Sequence, residues 1–264
     1  MRVLTPGLSV ERFFDRVAAA HRRALLLDFD GTLAPFSADR TRARPYPAVR
    51  EELLRLLATR ATRVAIVSGR GARAVGSLLG LAPVPEIWGS HGLERLEPGG
   101  AYRVEPLPPS TSARIEEAAA WARTQSFSAL LERKPLGLAL HARGAAPGLF
   151  EQTRQAALAR WNQPLGEAGL EPLEFDGGVE WRPAGGHKGQ VVATVLAEEG
   201  PGAAVAYLGD DRTDEDAFQA LQGVGLAVLV RSSPRPTAAN LWIEPPEELV
   251  EFLARWRQAL SCPA

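Results

Sequence analysis

Hydrophobic and polar residues follow one another along this chain in a pattern that predicts alternating strands and helices. Apolar residues recur with helical spacing over about 8–20 and 48–59, and apolar runs of strand length cover 24–28, 63–67 and 203–208. Strands that alternate with helices usually form a parallel sheet with helices on both faces. The pattern therefore predicts a doubly wound α/β fold.

The middle of the chain has a different pattern. The elements predicted there are helices over about 110–124 and 147–162, a strand over 136–142 and two strand-like runs within 171–182. Proline-rich segments stand on either side of this region. We therefore expect a core formed by residues 1–107 with 184–264, and an inserted domain over 108–183 that has an antiparallel sheet and two covering helices.

Length and composition are those of an ordinary globular protein. The chain has 264 residues, of which 45% are hydrophobic, and its formal net charge of -1 offers no basic face for nucleic acid. Cys262 is the only cysteine, which excludes an internal disulfide and a thiolate metal site. Because no apolar run approaches the roughly 18 residues of a membrane span and no signal-peptide pattern opens the chain, we expect a cytoplasmic location.

Aspartates are concentrated in two segments that each follow an apolar run. Asp28 and Asp30 stand where the first predicted strand gives way to Gly31, and the second segment contributes Asp210, Asp211, Asp214 and Asp216. A turn would explain the first segment, and an acidic helix start would explain Asp214 but not Asp210. Because loops at the carboxyl ends of parallel strands converge, Asp28 and Asp210 are candidate ligands of one hard cation such as Mg²⁺.

Two strand-to-helix junctions offer groups that can bind phosphate. Ser68 follows a predicted strand and precedes a helix over about 71–79, and Lys188 opens a helix over about 188–198 after a glycine-rich turn. A serine that only caps its helix is the alternative. Lys134 and Lys188 are the only lysines among 30 basic residues, which indicates positions that need a compact charge.

Four of these features, in this order, resemble the haloacid dehalogenase-like (HAD) phosphatases. They are the strand end Asp28-Phe29-Asp30-Gly31-Thr32, then Ser68, Lys188 and Gly209-Asp210-Asp211. The resemblance covers nearly the whole chain. It implies an α/β fold with a HAD-like doubly wound Rossmannoid core and an inserted α+β cap domain of the C2 type.

Within this superfamily the chain resembles the trehalose-6-phosphate phosphatases. The matching segments are Gly89–Glu94, Glu132-Arg133-Lys134 with His141-Ala142-Arg143, Val179–Pro183, and Gly209–Asp216. One departure is Ala142, where the family often has an aromatic residue. The missing ring removes packing near the sugar and leaves the charged ligands in place.

The resemblance implies roles for individual residues in the core. Asp28 is the expected nucleophile, which forms an aspartyl phosphate, and Asp30 is the expected acid and base. The expected phosphate-binding residues are Thr32, Ser68, Gly69 and Lys188. Mg²⁺ is expected on Asp28, the main-chain carbonyl of Asp30 and Asp210, with Asp211 and Asp214 orienting this shell or Lys188.

The resemblance also implies residues that bind the sugar. They are Ser90, His91, Gly92, Glu132, Lys134, Arg143 and Glu180. Most of them lie in the inserted domain, which by analogy closes over the core as a cap. The resemblance thus implies a Mg²⁺-dependent phosphatase for trehalose 6-phosphate, and we expect it to be a standalone enzyme. As isolated residues, Glu132 and Lys134 would be a solvated strand edge, and His141 would be a structural histidine.

Several alternatives stay open at this point. A related phosphatase could act on a sucrose phosphate or on mannosyl-phosphoglycerate, and a phosphomutase also begins with an aspartyl phosphate. A non-catalytic sugar-phosphate-binding regulatory subunit, or a scaffold for a trehalose-phosphate synthase, belongs to another class. The expected partner is a small-molecule substrate, without nucleic acid or membrane, and with functional pairing to a separate synthase.

Overall fold

The structure, a computed structural model, describes residues 1–37, 39–142, 145–146, 148–175 and 178–261. It divides into two compact units. The core unit is Met1–Arg103 with His187–Ala264, and the cap unit is Val104–Gly186. The domain bounds drawn from the sequence, with 108–183 as the insert, stay a prediction.

The core unit is built on one mixed sheet. Its strands lie in the order β1 (Arg2–Val3), β13 (Leu241–Ile243), β12 (Leu226–Val230), β11 (Ala204–Gly209), β2 (Arg23–Asp28), β3 (Arg63–Val67), β4 (Glu86–Gly89), β5 (Glu94–Leu96) and β6 (Tyr102–Val104). The strands from β13 to β4 are parallel, and β1 and β5 pair antiparallel with their neighbours. The predicted parallel core is confirmed.

Helices cover both faces of this sheet. They are α1 (Val10–Ala19), α2 (Pro47–Thr59), α3 (Ala72–Leu79), α6 (Lys188–Glu199), α7 (Glu215–Ala220) and α8 (Glu247–Ala259). Side chains of β2 alternate between the faces, so that Leu25 and Leu27 pack with α1, α2, α3 and α8 while Leu26 packs with α6 and α7. A strand that is buried on both faces has a continuous run of apolar residues, which is the pattern seen in the sequence.

The cap unit has an antiparallel sheet with two helices on one face. The sheet order is β7 (Leu131–Lys134), β8 (Gly137–His141), β10 (Gly178–Pro183) and β9 (Leu170–Phe175), and the helices are α4 (Pro109–Arg123) and α5 (Leu149–Glu167). Both helices pack on the same face of this sheet, where Trp181 contacts Trp161 edge to face. The helix predicted to end at 162 continues to Glu167, because Leu165 extends its buried face.

None of the helices within the described ranges is long and apolar enough to cross a membrane.

Candidate active site

Three strands of the core sheet end side by side. Asp28, the last residue of β2, is paired in register with Val67, the last residue of β3. β11 is parallel to β2 on its other side. Ser68 and Asp210, each the first residue after its strand, therefore begin at the same edge of the sheet as Asp28.

Lys188 joins two carboxylates at this edge. It is buried at the first position of α6, and its Nζ donates to Oδ1 of Asp28 at 2.6 Å and to Oδ1 of Asp214 at 2.7 Å. Burial lowers the pKa of Lys188, but the charges of Asp214 and Asp28 outweigh burial, so this pKa lies above its usual value. Lys188 is therefore a buried, permanently charged group beside Asp28.

The pKa of Asp28 is raised to about 7. Burial is the main cause, Lys188 acts in the opposite direction, and the negative charge of Asp214 adds to the rise. Additional positive charge beside Asp28 would favour its ionised form. The site therefore has more negative charge than Lys188 alone can balance.

Asp214 is fully buried, and both of its oxygens have donors. Oδ1 accepts hydrogen bonds from Lys188 and from the hydroxyl of Tyr207 at 2.6 Å. Oδ2 accepts from the backbone N–H groups of Asp210 at 3.0 Å and Asp211 at 2.9 Å. Because four donors already surround this carboxylate, Asp214 is poorly suited to bind a cation directly.

The carboxylate of Asp210 differs from that of Asp214 in its hydrogen bonding. It is 1% exposed, and within the described part of the chain neither of its carboxylate oxygens has a hydrogen-bond partner. Oxygens of Asp28, Asp210 and Asp214 lie within 4.8 Å of one another. Burial, and then the charge of Asp28, raise the pKa of Asp210 well above its usual range. Buried acceptors without donors, beside a second carboxylate, fit a divalent cation held by Asp28 and Asp210.

Gly31 allows the loop after β2 to approach this carboxylate. Its φ is +87°, and a Cβ at this position would lie 2.2 Å from Oδ2 of Asp210. Only glycine fits such a position, because any side chain would clash with the carboxylate and strain the backbone.

Asp30 does not share the partners of Asp28. Arg70 binds both of its carboxylate oxygens, and the guanidinium also lies 5.8 Å from the ring centroid of Phe29. The Asp30 side chain is 26% exposed. Arg70 is not among the site residues predicted from the sequence, although it directly follows the predicted Ser68-Gly69 turn.

The predicted phosphate-binding residues lie at the same edge. Thr32 is fully buried, and its hydroxyl has no hydrogen-bond partner among the residues that the structure describes. The hydroxyl of Ser68 accepts from the N–H of Arg70 at 3.2 Å. Asp211 accepts from the N–H of Arg212 at 2.6 Å and caps the short helical turn Arg212–Asp214. The side chain of Asp211 therefore supports the acidic loop by binding the main chain of that loop.

The segment Ser90-His91-Gly92 lies against the Ser68-Gly69 turn. All three residues have positive φ, and the N–H of His91 donates to the carbonyl of Ser68 at 3.0 Å. The buried carboxylate of Glu94 holds this segment in place. It accepts hydrogen bonds from the hydroxyl of Ser90, the N–H of Ala72 at 3.0 Å and the hydroxyl of Tyr102 at 2.9 Å.

The other predicted sugar-binding residues share one face of the cap sheet. Ala139 is opposite Glu132 on one neighbouring strand and opposite Glu180 on the other, so these three share the face that points away from α4 and α5. Lys134 forms a buried ion pair with Glu180. His141 lies 3.0 Å from Glu132.

Arg143, another predicted sugar-binding residue, lies outside the described residues. Among those described, the site also includes three residues that are not predicted from the sequence, namely Arg70, Tyr207 and Glu94.

A sequence model of the family described as trehalose-phosphatase matches residues 26–243. This chain belongs to the trehalose-phosphatase family. The match confirms the resemblance drawn from the sequence motifs. Membership in this family also identifies the chain as related to phosphoric monoester hydrolases.

Two relatives place the chain within the trehalose-phosphatase family. A trehalose-phosphate phosphatase of Mycobacterium ulcerans is 33% identical over 260 residues, covering 91% of this chain and 63% of that protein. A bifunctional trehalose-6-phosphate synthase/phosphatase of Thermoproteus tenax is 35% identical over 237 residues, covering 88% of this chain and 32% of that protein. The chain thus spans less than two thirds of the length of either relative.

The fold is that of a solved member of the trehalose-phosphatase family. The C-terminal domain of trehalose-6-phosphate phosphatase from Candida albicans superposes with a TM-score of 0.80 at 22% identity, covering 98% of this chain and 99% of that chain. The predicted fold class, a doubly wound core with an inserted cap, is confirmed.

Proposed function

We propose that this chain hydrolyses trehalose 6-phosphate to trehalose and inorganic phosphate. The observation that carries the proposal is the buried pair of Asp28 and Asp210, with Lys188 bonded to the first and no donor on the second. A nucleophile, a fixed cation and a cation site are the parts that phosphoryl transfer needs. The family supports the choice of substrate.

The proposed cofactor is Mg²⁺, held by the carboxylates of Asp28 and Asp210 and the main-chain carbonyl of Asp30. The donor set consists of oxygens only, which suits a hard cation. When bound, Mg²⁺ supplies positive charge that favours ionised carboxylates and polarises the phosphoryl group. Asp214 and Asp211 orient the loop that carries Asp210.

The proposed reaction proceeds in two steps on Asp28. In the first, a carboxylate oxygen of Asp28 attacks phosphorus, the bond from phosphorus to the sugar oxygen breaks, and Asp30 gives that oxygen a proton. In the second, Asp30 takes a proton from water, whose oxygen attacks phosphorus and releases free Asp28 and inorganic phosphate. Lys188, Ser68, Thr32 and the N–H of Gly69 bind the phosphoryl oxygens.

The polar face of the cap sheet is the proposed binding surface for the sugar. Glu132, Lys134 and Glu180 offer both donors and acceptors on one face, which suits a molecule that has many hydroxyl groups and a single phosphate. Arg143 is proposed for the same role by resemblance alone. The N–H of His91 donates to the carbonyl of Ser68, and the segment of Ser90, His91 and Gly92 is proposed to shape the phosphate-binding turn.

The proposed source of the substrate is a separate synthase. The name of the Thermoproteus tenax relative gives that protein both a synthase and a phosphatase activity, and this chain matches about a third of its length. The cytoplasmic location stays a prediction.

A sugar-phosphate panel tests the proposal. Release of inorganic phosphate is measured for trehalose 6-phosphate, sucrose 6-phosphate, glucose 6-phosphate and p-nitrophenyl phosphate, with and without a chelator. We expect kcat/KM for trehalose 6-phosphate to exceed the others by at least about tenfold, a difference of about 1.4 kcal/mol. Equal turnover of unrelated esters would contradict the substrate assignment, and an isomeric sugar phosphate as product would indicate a mutase.

Asp28→Asn is the matched control for the panel. The amide has nearly the size of the carboxylate but cannot attack phosphorus, so we expect a loss of at least about 1,000-fold in kcat with an unchanged circular dichroism spectrum. Substrate binding without turnover in the unmodified chain would instead indicate a regulatory sugar-phosphate-binding protein.

A further inference from the structure

Two arginines from the loop after β12 bind the main chain of the acidic loop after β11. Nη1 of Arg231 and Nε of Arg235 donate to the carbonyl of Asp210 at 3.2 Å and 3.3 Å. Nη2 of Arg235 donates to the carbonyl of Asp211 at 2.6 Å. Because β11 and β12 are parallel neighbours, both loops leave the sheet at the same edge. The two loops are therefore joined through backbone oxygens.

Arg235 is itself held by an acidic anchor. Its Nη1 donates to the carboxylate of Glu215 and to the carbonyl of Pro236 at 2.9 Å. Glu215 also accepts from the hydroxyl of Thr237 at 2.8 Å and the N–H of Ala238 at 2.7 Å. Only 16% of the Arg235 side chain is exposed. The guanidinium is therefore fixed in one orientation and is not a mobile surface charge.

These contacts bear on Asp210, because within the described part of the chain no hydrogen bond positions its carboxylate. The hydrogen bonds that fix its place are those of its main chain. On one side the N–H groups of Asp210 and Asp211 are bonded to Asp214. On the other side their carbonyls are bonded to Arg235. The peptide unit between Asp210 and Asp211 is thus held from both sides, by Asp214 at its N–H and by Arg235 at its carbonyl.

We propose that Arg235, anchored by Glu215, is a positioning residue that fixes Asp210 for cation binding. The inference rests on the proposed function only for the nature of the ligand, a divalent cation. Partners outside the ligand set typically change metal affinity by about 10- to 100-fold when they are removed.

If the charge of Arg235 were its only effect, removing it would change cation affinity in the opposite direction. A cationic side chain near a cation site repels the cation, so removing the charge of Arg235 should strengthen binding if charge were its only effect. Loss of positioning should weaken binding. Lys at this position keeps the charge but cannot reach two carbonyls with a rigid fork, which separates the two effects.

The experiment measures metal binding without substrate. Mn²⁺ is titrated into the metal-free full chain and free Mn²⁺ is counted by electron paramagnetic resonance, followed by displacement with Mg²⁺. We expect Arg235→Lys and Arg235→Met to weaken Mn²⁺ and Mg²⁺ binding by about 10-fold or more. Arg212→Met is the matched control, because it removes an exposed positive charge from the same acidic loop, and we expect it to change affinity by less than about twofold.

Glu215→Gln provides a milder variant that keeps Arg235. It weakens the anchor of the guanidinium, so we expect an intermediate loss of affinity. Circular dichroism and thermal unfolding in chelator check that each variant is folded, and Glu215→Gln decides the matter if Arg235→Met does not fold. Unchanged or tighter binding in both Arg235→Lys and Glu215→Gln would overturn the positioning role. Absence of Mn²⁺ binding by the unmodified chain would instead overturn the cation site of the proposed function.

Discussion

Arg70 binds both carboxylate oxygens of Asp30, with Nε 2.5 Å from Oδ2 and Nη2 2.6 Å from Oδ1. A bidentate pair of this kind fixes the orientation of the carboxylate. If Asp30 transfers the proton to the leaving sugar oxygen, its orientation matters most for substrates whose leaving group is a poor one.

We therefore expect Arg70→Gln to lower kcat for trehalose 6-phosphate by about 10-fold or more, and to change kcat for p-nitrophenyl phosphate far less. The aryl oxygen leaves without help from an acid. The ratio of the two kcat values is the measurement, and Arg12→Gln, at an exposed position in α1, is the control. Equal losses on both substrates would mean that Arg70 only stabilises the loop.

Gly31 and Gly7 form a matched pair for a steric test. Both have positive φ, +87° and +82°, but a Cβ at Gly31 would overlap Asp210 whereas a Cβ at Gly7 would meet no atom within 4 Å. We expect Gly7→Ala to lose about 1 kcal/mol of unfolding free energy through backbone strain, and Gly31→Ala to lose more because its Cβ would also overlap Asp210. Only Gly31→Ala should also weaken Mg²⁺ binding, as measured by urea unfolding and by metal titration. Equal metal affinity in the two variants would contradict this prediction.

Variants of the buried pair of Lys134 and Glu180 can separate the contribution of this pair to folding stability from its contribution to substrate specificity. Glu180→Ala leaves Lys134 buried without this carboxylate, so we expect a loss of about 3 kcal/mol in unfolding free energy. The double variant Lys134→Met, Glu180→Met removes both charges and should recover most of that loss. Chemical denaturation of the single and double variants is the measurement.

The same double variant tests the sugar-binding role. We expect it to lose trehalose 6-phosphate hydrolysis by about 100-fold while it retains p-nitrophenyl phosphate hydrolysis, because a small ester needs few contacts beyond its phosphate. Parallel loss of both activities would assign the pair a structural role.

Protons and Mg²⁺ should compete at Asp28. Its pKa is about 7 in the folded chain against an ordinary value of 3.8, so the folded state binds this proton more tightly than the unfolded state. The stability of the metal-free protein should therefore fall as the pH rises from about 4 to about 7. Because metal binding displaces the proton, the rise in Tm caused by Mg²⁺ should grow over the same interval.

Thermal unfolding at about pH 5, 6 and 7.5, in Mg²⁺ or in chelator, measures this competition. In Asp28→Asn the carboxylate is absent, and the pH dependence of the Mg²⁺ effect should be smaller. An Mg²⁺ effect on Tm that is the same at all three pH values would contradict the prediction.

The sequence predicts those site residues whose local context is distinctive. Asp28 and Asp210 follow apolar runs, and Lys188 is one of two lysines, so each stands out without knowledge of its neighbours in space. Tyr207 does not stand out, because a single aromatic residue inside an apolar run is normal in a buried strand. Its bond to Asp214 depends on the fold.

Arg235 is even harder to predict from the sequence than Tyr207. Arginine makes up nearly all of the 30 basic residues, so composition gives no reason to choose this one. It contacts Asp210 across 25 positions of sequence, through a carbonyl that every residue has. The extent of α5 was also missed, because Pro164 within it is a signal that normally ends a helix.

The bond between Lys188 and Asp28 spans 160 positions, and β11, the strand that precedes Asp210, pairs with β2 although about 175 residues separate them. A nascent polypeptide leaving the ribosome exposes Asp28 early, but Lys188 and Asp210 follow only in the last third of the chain. Fragments that end before β11 should consequently be inert toward divalent ions, however well their first strands and helices assemble.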